Sequence, residues 1–365
     1  RHLHHLHLAD ARKFHRFHYL VIFINTLKCR QNMRVLFIGG TGNISTACGR
    51  LALEQDMELY ILTRGNRHPS DLEGATYLNA DIHKPEEVKK ALDGTHFDVV
   101  VNFIAFVPAE VERDMQLFSG SCSQYIFISS ASAYQKPPSH PIITESTPLA
   151  NPYWDYSRNK IACEDLLTKA YREQGFPMTI VRPSHTYETV IPAAIGSWED
   201  FTLIDRMRKG KEIIIHGDGT SLWTLTHSRD FAKAFVGLLG RQQAIGHSFH
   251  ITSDEVLSWN QIYEAMAEAA GAELKAVHIP SDFVCQIADQ LNQTWMRGNL
   301  FGDKAHSAIF DNSKIKRFVP DYVATIPFRE GMRRTVDWFD AHPDRIWIDE
   351  MNNQLMDAIL AAYQD

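Results

Sequence analysis

The fold of this chain is decided by the stretch Arg34-Val-Leu-Phe-Ile-Gly39-Gly-Thr-Gly42-Asn-Ile-Ser45. The apolar run 34–38 is typical of a buried parallel strand, and a helical pattern over 44–55 follows the glycines. Gly39 permits a tight turn, while Gly42 lets the backbone approach a phosphate that a β-carbon would obstruct. The free N–H groups at the helix start favour an anion. We therefore predict a dinucleotide phosphate site formed by Gly39, Thr41, Gly42, Asn43 and Ile44.

Strands and helices continue to alternate after this turn. Helical patterns cover 85–92 and 156–174, and apolar runs predict strands over 58–62, 76–79, 97–102, 124–129 and 178–182. This alternation predicts an α/β fold with a Rossmann-type doubly wound parallel sheet. Beyond residue 183 the pattern loosens, and we expect a smaller C-terminal substrate-binding region there. We divide the chain into a dinucleotide-binding core (33–182), a substrate-binding region interleaved with it (183–340) and a helical tail (341–365).

The first 32 residues differ in composition from the rest of the chain. Six histidines crowd residues 1–18, and the apolar run 19–24 is shorter than the roughly 20 residues that a membrane span needs. We predict that residues 1–32 are a non-native or disordered His-rich extension and that the fold begins at Met33. No membrane association is expected.

Composition and charge limit the classes of function. The 365 residues are 44% hydrophobic and 22% charged, which is typical of a globular protein. A net charge of -7 disfavours nucleic acid as a partner. Five cysteines without a CxxC pair argue against a disulfide framework or a zinc site, so we predict a cytoplasmic protein without a bound metal.

The residues that follow the second and third strands bear on the choice of cofactor. A dinucleotide site often has an acidic residue after the second strand, which binds the ribose 2′-hydroxyl. Here that strand ends in Thr63 and Arg64, and an arginine suits a 2′-phosphate or stacks on adenine. The sequence therefore favours NADP over NAD. Asp81 and Ile82 lie where an adenine contact is expected, although Asp81 equally suits a cap for the next helix.

A tyrosine and a lysine share one face of the predicted helix 156–174. Tyr156 and Lys160 are spaced i, i+4, which places their β-carbons about 5–6 Å apart. A nearby ammonium, together with the positive charge of an oxidised nicotinamide, favours the phenolate and lowers the pKa of a tyrosine, which can then transfer a proton during hydride transfer. Ser130 follows the fifth strand, where ligands bind in such sheets, and we expect it to orient the substrate oxygen. We predict catalytic roles for all three residues, with Lys160 also binding the nicotinamide ribose.

These motifs together resemble the extended short-chain dehydrogenase/reductase superfamily, in its NAD-dependent epimerase/dehydratase branch. The resemblance extends from residue 33 to about residue 339 and rests on the motifs GGTGNI (39–44), SSASAY (129–134), YSRNK (156–160), RPSHTY (182–187), HGDG (216–219) and DNSK (311–314). It supports the catalytic roles of Ser130, Tyr156 and Lys160 and implies a position beside the nicotinamide for Pro183. It also implies a small-molecule substrate such as a sugar or sugar nucleotide, and a homodimer packed through the helix that carries Tyr156.

Several positions depart from the pattern of that superfamily. Trp223 stands where nucleotide-sugar members carry an arginine that binds the diphosphate, and Leu300 or Phe301 stands where a second arginine is expected. Ala131 and Ser132 replace the acidic pair of the sugar 4,6-dehydratases. These departures argue against a dehydratase and put a nucleotide-linked sugar in doubt.

Aromatic and polar residues near the motifs are candidates for contact with the substrate. We predict this role for Ser132, His185, Tyr187 and Trp223, and Tyr153 and Trp154 are further candidates. Trp295 is interpreted as a core or interface residue.

Two reactions and one non-catalytic function remain open. An epimerase oxidises and re-reduces one carbon with a retained cofactor, whereas a carbonyl reductase exchanges the cofactor in each turnover. Arg64 slightly favours reduction, and the overall resemblance favours epimerisation. One branch of the superfamily, which resembles chloroplast stem-loop RNA-binding proteins, has exchanged catalysis for RNA contact. Because Ser130, Tyr156 and Lys160 are all present, an NAD(P)-dependent enzyme is the main hypothesis, and nucleotide sensing or RNA binding is the alternative.

Overall fold

Seven parallel strands form the central sheet of the computed structural model, which describes residues 32–65 and 72–364. In chain order they are β1 (Arg34–Ile38), β2 (Glu58–Thr63), β3 (Thr76–Asn79), β4 (Phe97–Asn102), β5 (Cys122–Ile128), β6 (Met178–Pro183) and β7 (Ser248–Ile251). Their order across the sheet is β7-β6-β5-β4-β1-β2-β3. The prediction of a doubly wound parallel sheet is confirmed. The prediction for residues 1–32 lies outside the described residues, except at Asn32.

The helices cover both faces of this sheet. They are α1 (Asn43–Glu54), α2 (Pro85–Leu92), α3 (Pro108–Phe118), α4 (Asp155–Gln174), α5 (Thr202–Arg208), α6 (Ser228–Leu238), α7 (Trp259–Ala270), α8 (Ser281–Gln290), α9 (Trp295–Asn299), α10 (Ser313–Phe318), α11 (Phe328–Ala341) and α12 (Glu350–Gln364). In β1, Val35 and Phe37 pack with α1 and α6, whereas Leu36 and Ile38 pack with α2, α3 and α4. Burial on both faces explains why the central strands are continuous apolar runs.

The seventh strand comes from the C-terminal half of the chain. β7 pairs with β6, with Phe249 opposite Val181, and α6 packs beside α1 on the same face. The sheet is therefore not complete at residue 182, and the segment after residue 183 supplies part of the core. The sequence indicated a short strand there but not its place in the sheet, because partners 68 positions apart, such as Phe249 and Val181, leave no local signal.

The remaining C-terminal segments form a second layer with apolar clusters of its own. Short parallel pairs join His185–Tyr187 to Leu225–His227 and Ile213–His216 to Ala276–Ile279. Helices α7 and α11 pack together in one cluster, and α8 packs with α12 in another. Among the described helices, none is both long and apolar enough to cross a membrane. The described cysteines are buried thiols, at positions Cys48, Cys122, Cys163 and Cys285.

Candidate active site

Two of the three glycines in the turn after β1, Gly39 and Gly42, serve different purposes. Gly39 has a left-handed φ of +79°, and a β-carbon there would lie 2.4 Å from Ile104 Cγ2. Gly42 has an ordinary φ of -93°, and a β-carbon there would meet Ser45 Oγ at a comfortable 3.6 Å. The protein itself therefore requires glycine at Gly39 but not at Gly42. Space kept open at Gly42, beside the start of α1, fits a phosphate-bearing ligand.

Ser45 occupies the position where a third glycine is usual, and it holds the turn in shape. Its Oγ accepts a hydrogen bond from the Gly42 N–H at 2.9 Å and donates to the Gly39 carbonyl at 3.1 Å. The side chain is 2% exposed, so it stabilises the turn from within.

The side chain of Asn43 is also occupied by the protein. Its Nδ2 donates to the Thr186 carbonyl at 3.0 Å, and its Oδ1 accepts from the Thr189 N–H at 3.2 Å. A phosphate contact by Asn43 or Ile44 would therefore use the backbone N–H groups of the first helical turn, which have no partner within the helix.

A cavity of about 440 Å³, here called the turn cavity, opens beside these glycines at the carboxyl ends of the strands. It brings together most of the residues predicted to bind the cofactor. Its lining includes Gly39, Thr41, Gly42, Thr63, Arg64, Asp81, Ile82 and Ile104.

Arg64 and Asp81 differ in how far the protein already uses them. Arg64 is exposed, and no ion pair joins it to another described residue. The Asp81 carboxylate accepts a hydrogen bond from the His83 N–H at 3.0 Å. It therefore closes a turn and does not cap α2, whose N-cap residue is Lys84.

A second cavity of about 660 Å³, here called the aromatic cavity, lies beyond the ends of β5 and β6. Loops and helices from the C-terminal half cover it. Its lining includes Phe106, Ser130, Ser132, Lys136, Trp154, Tyr156, Pro183, His185, Trp198, Glu199, Trp223, Trp295, Asp303 and Asp349. The predicted catalytic Ser130 and Tyr156 thus face the same space as most of the predicted substrate residues.

Lys160 lies directly behind Tyr156 and is 1% exposed. Its Nζ donates to the carbonyls of Ala105 and Ile128, each at 2.7 Å, and lies 4.5 Å from the centre of the Phe106 ring. Burial disfavours the charged form and lowers the pKa of Lys160 to about 8. An ammonium has three N–H donors, so one remains for a ligand hydroxyl.

The expected fall in the pKa of Tyr156 is not found in the protein alone. Burial raises the pKa of Tyr156 to about 12, and a hydrogen bond from Ser130 lowers it only in part. The Lys160 ammonium is 5.8 Å from the ring centre of the tyrosine. At neutral pH Tyr156 therefore keeps its proton and is suited to donate it.

A chain of three serine hydroxyls leads to Tyr156. Ser157 Oγ donates to Ser132 Oγ at 2.7 Å, and Ser132 Oγ lies 2.9 Å from Ser130 Oγ. Since Ser132 accepts from Ser157, its own proton is free to point to Ser130, which leaves the Ser130 proton for Tyr156 or a substrate oxygen. Ser157 was not predicted, although its place next to Tyr156 was a signal.

Two of the four predicted substrate residues present buried polar atoms without partners. His185 is 3% exposed and stacks on Trp198 with ring centres 4.3 Å apart. Neither of its ring nitrogens, nor Nε1 of Trp223, has a hydrogen-bond partner in the described part of the chain. Burial holds the pKa of His185 well below its usual range, so the ring is neutral.

The structure does not bring Tyr187 to either cavity. Its ring is fully buried against His227 and Phe328, and its hydroxyl donates to the Phe328 carbonyl at 3.4 Å. Trp295 was interpreted as a core or interface residue; it is not in the core, because it is 39% exposed and lines the aromatic cavity.

Sequence reasoning missed several residues that line the aromatic cavity. Phe106 follows β4, so its position at a strand end was a usable signal. Lys136, Trp198, Asp303 and Asp349 lie on loops or irregular helix ends, where no periodicity marks them.

Arg182 of the RPSHTY motif holds a buried network together behind the site. Its guanidinium forms a bidentate ion pair with Glu164 at 2.5 and 2.9 Å and donates to the Tyr134 hydroxyl at 3.0 Å. Tyr134 in turn donates to His250 Nδ1, because His250 Nε2 donates to the Asp311 carbonyl at 2.8 Å. The SSASAY, RPSHTY and DNSK motifs therefore meet in this buried network and not in the aromatic cavity.

The two arginines that Trp223 and Leu300 or Phe301 replace are not substituted by the arginine and the lysine near position 300. Arg297 lies outside the aromatic cavity and pairs with Asp282 and Asp289 at 3.4 and 3.3 Å. Lys304 is fully buried and bonded to Asn299 Oδ1 at 2.5 Å. Among the described residues, no arginine lines the aromatic cavity.

Known proteins resemble this chain in sequence. It is 26% identical over 265 residues to the chloroplast stem-loop binding protein of 41 kDa b from Arabidopsis thaliana, covering 68% of this chain and 67% of that protein. It is 24% identical over 300 residues to the Arabidopsis thaliana 3beta-hydroxysteroid-dehydrogenase/decarboxylase isoform 2. That match covers 72% of this chain and 52% of the dehydrogenase, so the chain spans about half of its length.

Solved structures share the fold. An epimerase from Methanothermobacter thermautotrophicus matches with a TM-score of 0.71 at 16% identity, covering 88% of this chain and 96% of that one. The UDP-glucose 4-epimerase from Bifidobacterium longum, in complex with NAD+ and UDP, matches with a TM-score of 0.66 at 17% identity, covering 86% and 99%.

A match to a family profile establishes the family to which the chain belongs. The sequence profile of the NAD dependent epimerase/dehydratase family matches residues 35–252. That range runs from β1 to the end of β7 and contains the glycine turn, Ser130, Tyr156 and Lys160. The chain therefore belongs to the NAD dependent epimerase/dehydratase family.

Proposed function

We propose that the protein is an NAD(P)-dependent oxidoreductase or epimerase that acts on a hydroxyl or carbonyl group of a sugar or related small molecule. One observation carries the proposal: Ser130 and Tyr156 face one cavity, with Lys160 directly behind Tyr156. The open space at Gly42 supports a dinucleotide at the neighbouring turn.

The residues that would hold the dinucleotide lie along the carboxyl edge of the sheet. Thr41 and the first amides of α1 would bind the phosphates, and Gly39 and Gly42 would let them approach the backbone. Asp81 and Ile82 would contact the adenosine end. Lys160 and Pro183 would lie beside the nicotinamide, because both are close to Tyr156 and the end of β6. When bound, the nicotinamide supplies the hydride acceptor or donor.

The chain itself handles the proton. Tyr156 donates its proton to a substrate oxygen that is gaining negative charge, or accepts one in the reverse direction. Ser130 donates a hydrogen bond to the same oxygen, and Ser132 and Ser157 orient the Ser130 hydroxyl. Because burial raises the pKa of Tyr156 to about 12, the phenol is protonated at neutral pH, which is the form that reduction of a carbonyl requires.

Arg64 supports NADP as the preferred cofactor. It lines the turn cavity at the end of β2, and none of the described residues at that strand end carries a carboxylate to bind a ribose 2′-hydroxyl. A guanidinium suits a 2′-phosphate.

Simple reduction with NADP and epimerisation with retained NAD are both compatible with the family, whose name includes epimerases. A cytoplasmic location and assembly into a homodimer remain predictions.

RNA binding is the second candidate function, because a stem-loop binding protein is among the relatives. The net charge of -7 and the presence of Ser130, Tyr156 and Lys160 in one site favour catalysis. Salt-dependent RNA binding without cofactor-dependent turnover would favour this second function instead.

The test is to identify the cofactor and then the contribution of Tyr156. Purified protein is denatured, and any released NAD or NADP is determined. Retained NAD supports an epimerase, and no retained cofactor with tighter binding of NADPH than NADH supports a reductase. Turnover of a substrate found by screening should fall at least about 100-fold in Tyr156→Phe, and unchanged turnover would refute the catalytic assignment.

A further inference from the structure

We infer that the aromatic cavity recognises an uncharged, polyhydroxylated ring, such as a cyclitol or a simple glycoside, and that His185 and Trp223 are its specificity-determining residues. This inference rests on the proposed function, since the reacting hydroxyl or carbonyl of the ring would lie at Tyr156.

The charges that line the cavity argue against a diphosphate. Lys136 is the cation among its lining residues, and its Nζ lies 5.6 Å from the ring centre of Trp223. The described residues that line the same cavity also include three carboxylates, those of Glu199, Asp303 and Asp349. A diphosphate carries about two negative charges and is best bound by bidentate guanidinium groups, which are missing here. A ligand without charge avoids the repulsion.

The aromatic walls suit a ring with one apolar face. Trp154 lies against Tyr156 with ring centres 4.9 Å apart, and Trp198 stacks on His185. Trp223 adds a third indole, stacked on Trp259 behind it at 5.9 Å. The C–H faces of a pyranose or cyclitol pack well on indole surfaces, which offer apolar area with little loss of side-chain freedom.

The unpartnered polar atoms favour a polyol over a ring with a single hydroxyl. His185 is neutral, so one ring nitrogen donates a hydrogen bond and the other accepts one. Trp223 Nε1 can only donate. All three atoms are buried without partners among the described residues. A steroid-like alcohol would pair with Tyr156 and offer nothing to these atoms, whereas several hydroxyls on one ring offer each of them a partner once binding exposes it to the cavity.

The experiment uses the full chain with saturating NADPH and follows ligand binding by tryptophan fluorescence. The probes are myo-inositol, methyl β-D-glucopyranoside, UDP-glucose and UDP, each up to its solubility limit. We expect saturable binding of an uncharged ring and weaker or no binding of UDP-glucose and UDP. His185→Phe, which keeps the stacking on Trp198, should weaken binding of the ring about tenfold or more, as should Trp223→Phe.

Matched controls come from a second histidine–tryptophan stack outside the cavity. His342 stacks on Trp338 with ring centres 4.7 Å apart, so His342→Phe and Trp338→Phe should leave binding unchanged. Three outcomes overturn the inference: tighter binding of UDP-glucose than of methyl glucopyranoside, no binding of either uncharged ring, or unaltered ring affinity in both cavity variants. Failure of the wild-type protein to bind NADPH or NADH, with no NAD or NADP released on denaturation, would instead refute the proposed function, so the two failures are distinguishable.

Discussion

Replacing Gly42 with alanine separates a ligand-binding glycine from a structural one. The φ of -93° suits alanine, and its methyl group would meet Ser45 Oγ at 3.6 Å, which is ordinary contact. A Gly→Ala change at a compatible site stabilises by about 0.4–1 kcal/mol through the unfolded chain. Gly42 is also the N-cap residue of α1, where alanine is less favourable than glycine by up to about 1 kcal/mol. These two effects nearly cancel, so we expect stability within about 1 kcal/mol of wild type.

The same substitution should weaken binding of the dinucleotide. The methyl group of Gly42→Ala would occupy the space proposed for the phosphates, and we expect the dissociation constant for NADPH to rise at least about tenfold, or about 1.4 kcal/mol. Gly39→Ala is the matched comparison. It combines a left-handed φ, costing about 1–2 kcal/mol, with a 2.4 Å clash against Ile104 Cγ2. That variant should lose stability as well as binding.

The assays are urea denaturation for stability and fluorescence titration for NADPH affinity. A Gly42→Ala protein with wild-type affinity would refute the reasoning, because the open space at Gly42 would then hold no ligand. A strongly destabilised Gly42→Ala protein would also refute it, since the glycine would be structural after all.

Four further predictions follow from the site. Arg64→Ala should raise the dissociation constant of NADPH about tenfold and leave that of NADH nearly unchanged; equal effects on both would remove Arg64 from cofactor choice. Ser157→Ala should lower turnover several-fold without altering cofactor affinity, because Ser132 then loses the donor that orients its proton, and unchanged kinetics would contradict the hydroxyl chain. Glu164→Gln should destabilise the fold by about 3–5 kcal/mol in urea, because it leaves the buried Arg182 without its ion pair; a loss below about 1 kcal/mol would be inconsistent with that network. Without added dinucleotide, the stability of the wild-type protein relative to Lys160→Met should increase as the pH rises from about 8 to about 10.5. The lower limit is the pKa of Lys160 in the folded protein, and the upper limit is the ordinary pKa of a lysine. The unfolded chain binds the extra proton in that window, and the gain is up to about 3 kcal/mol; a pH-independent difference would contradict the lowered pKa.

Features with a local signal in the sequence were predicted well. The β1 strand, the turn at Gly39 and the helix carrying Tyr156 and Lys160 are each defined by neighbouring residues, and their predicted bounds agree with the structure to within a residue or two. Ser130 was predictable because ligands bind at the carboxyl ends of parallel strands.

Features that depend on tertiary packing were not predictable in the same way. Nothing near Tyr187 shows that its ring turns to Phe328 while His185, two residues earlier, lines the aromatic cavity. The pKa of Tyr156 was expected to fall, but the amount of burial and the 5.8 Å separation from Lys160 depend on side-chain packing. Loop residues such as Trp198 and Asp349 have no periodic pattern that could place them in the cavity.

The central claim is that the glycine turn and the Tyr156–Lys160 pair serve one bound nicotinamide cofactor. It is tested most directly by energy transfer from the tryptophans of the protein to the nicotinamide of added NADPH, a signal that falls steeply with distance and requires the reduced ring to lie near the tryptophan-lined cavity. We predict saturable sensitised emission in the wild-type protein and its loss in Gly42→Ala at the same NADPH concentration. Saturating NADPH without sensitised emission, or emission that is identical in both proteins, would contradict the claim.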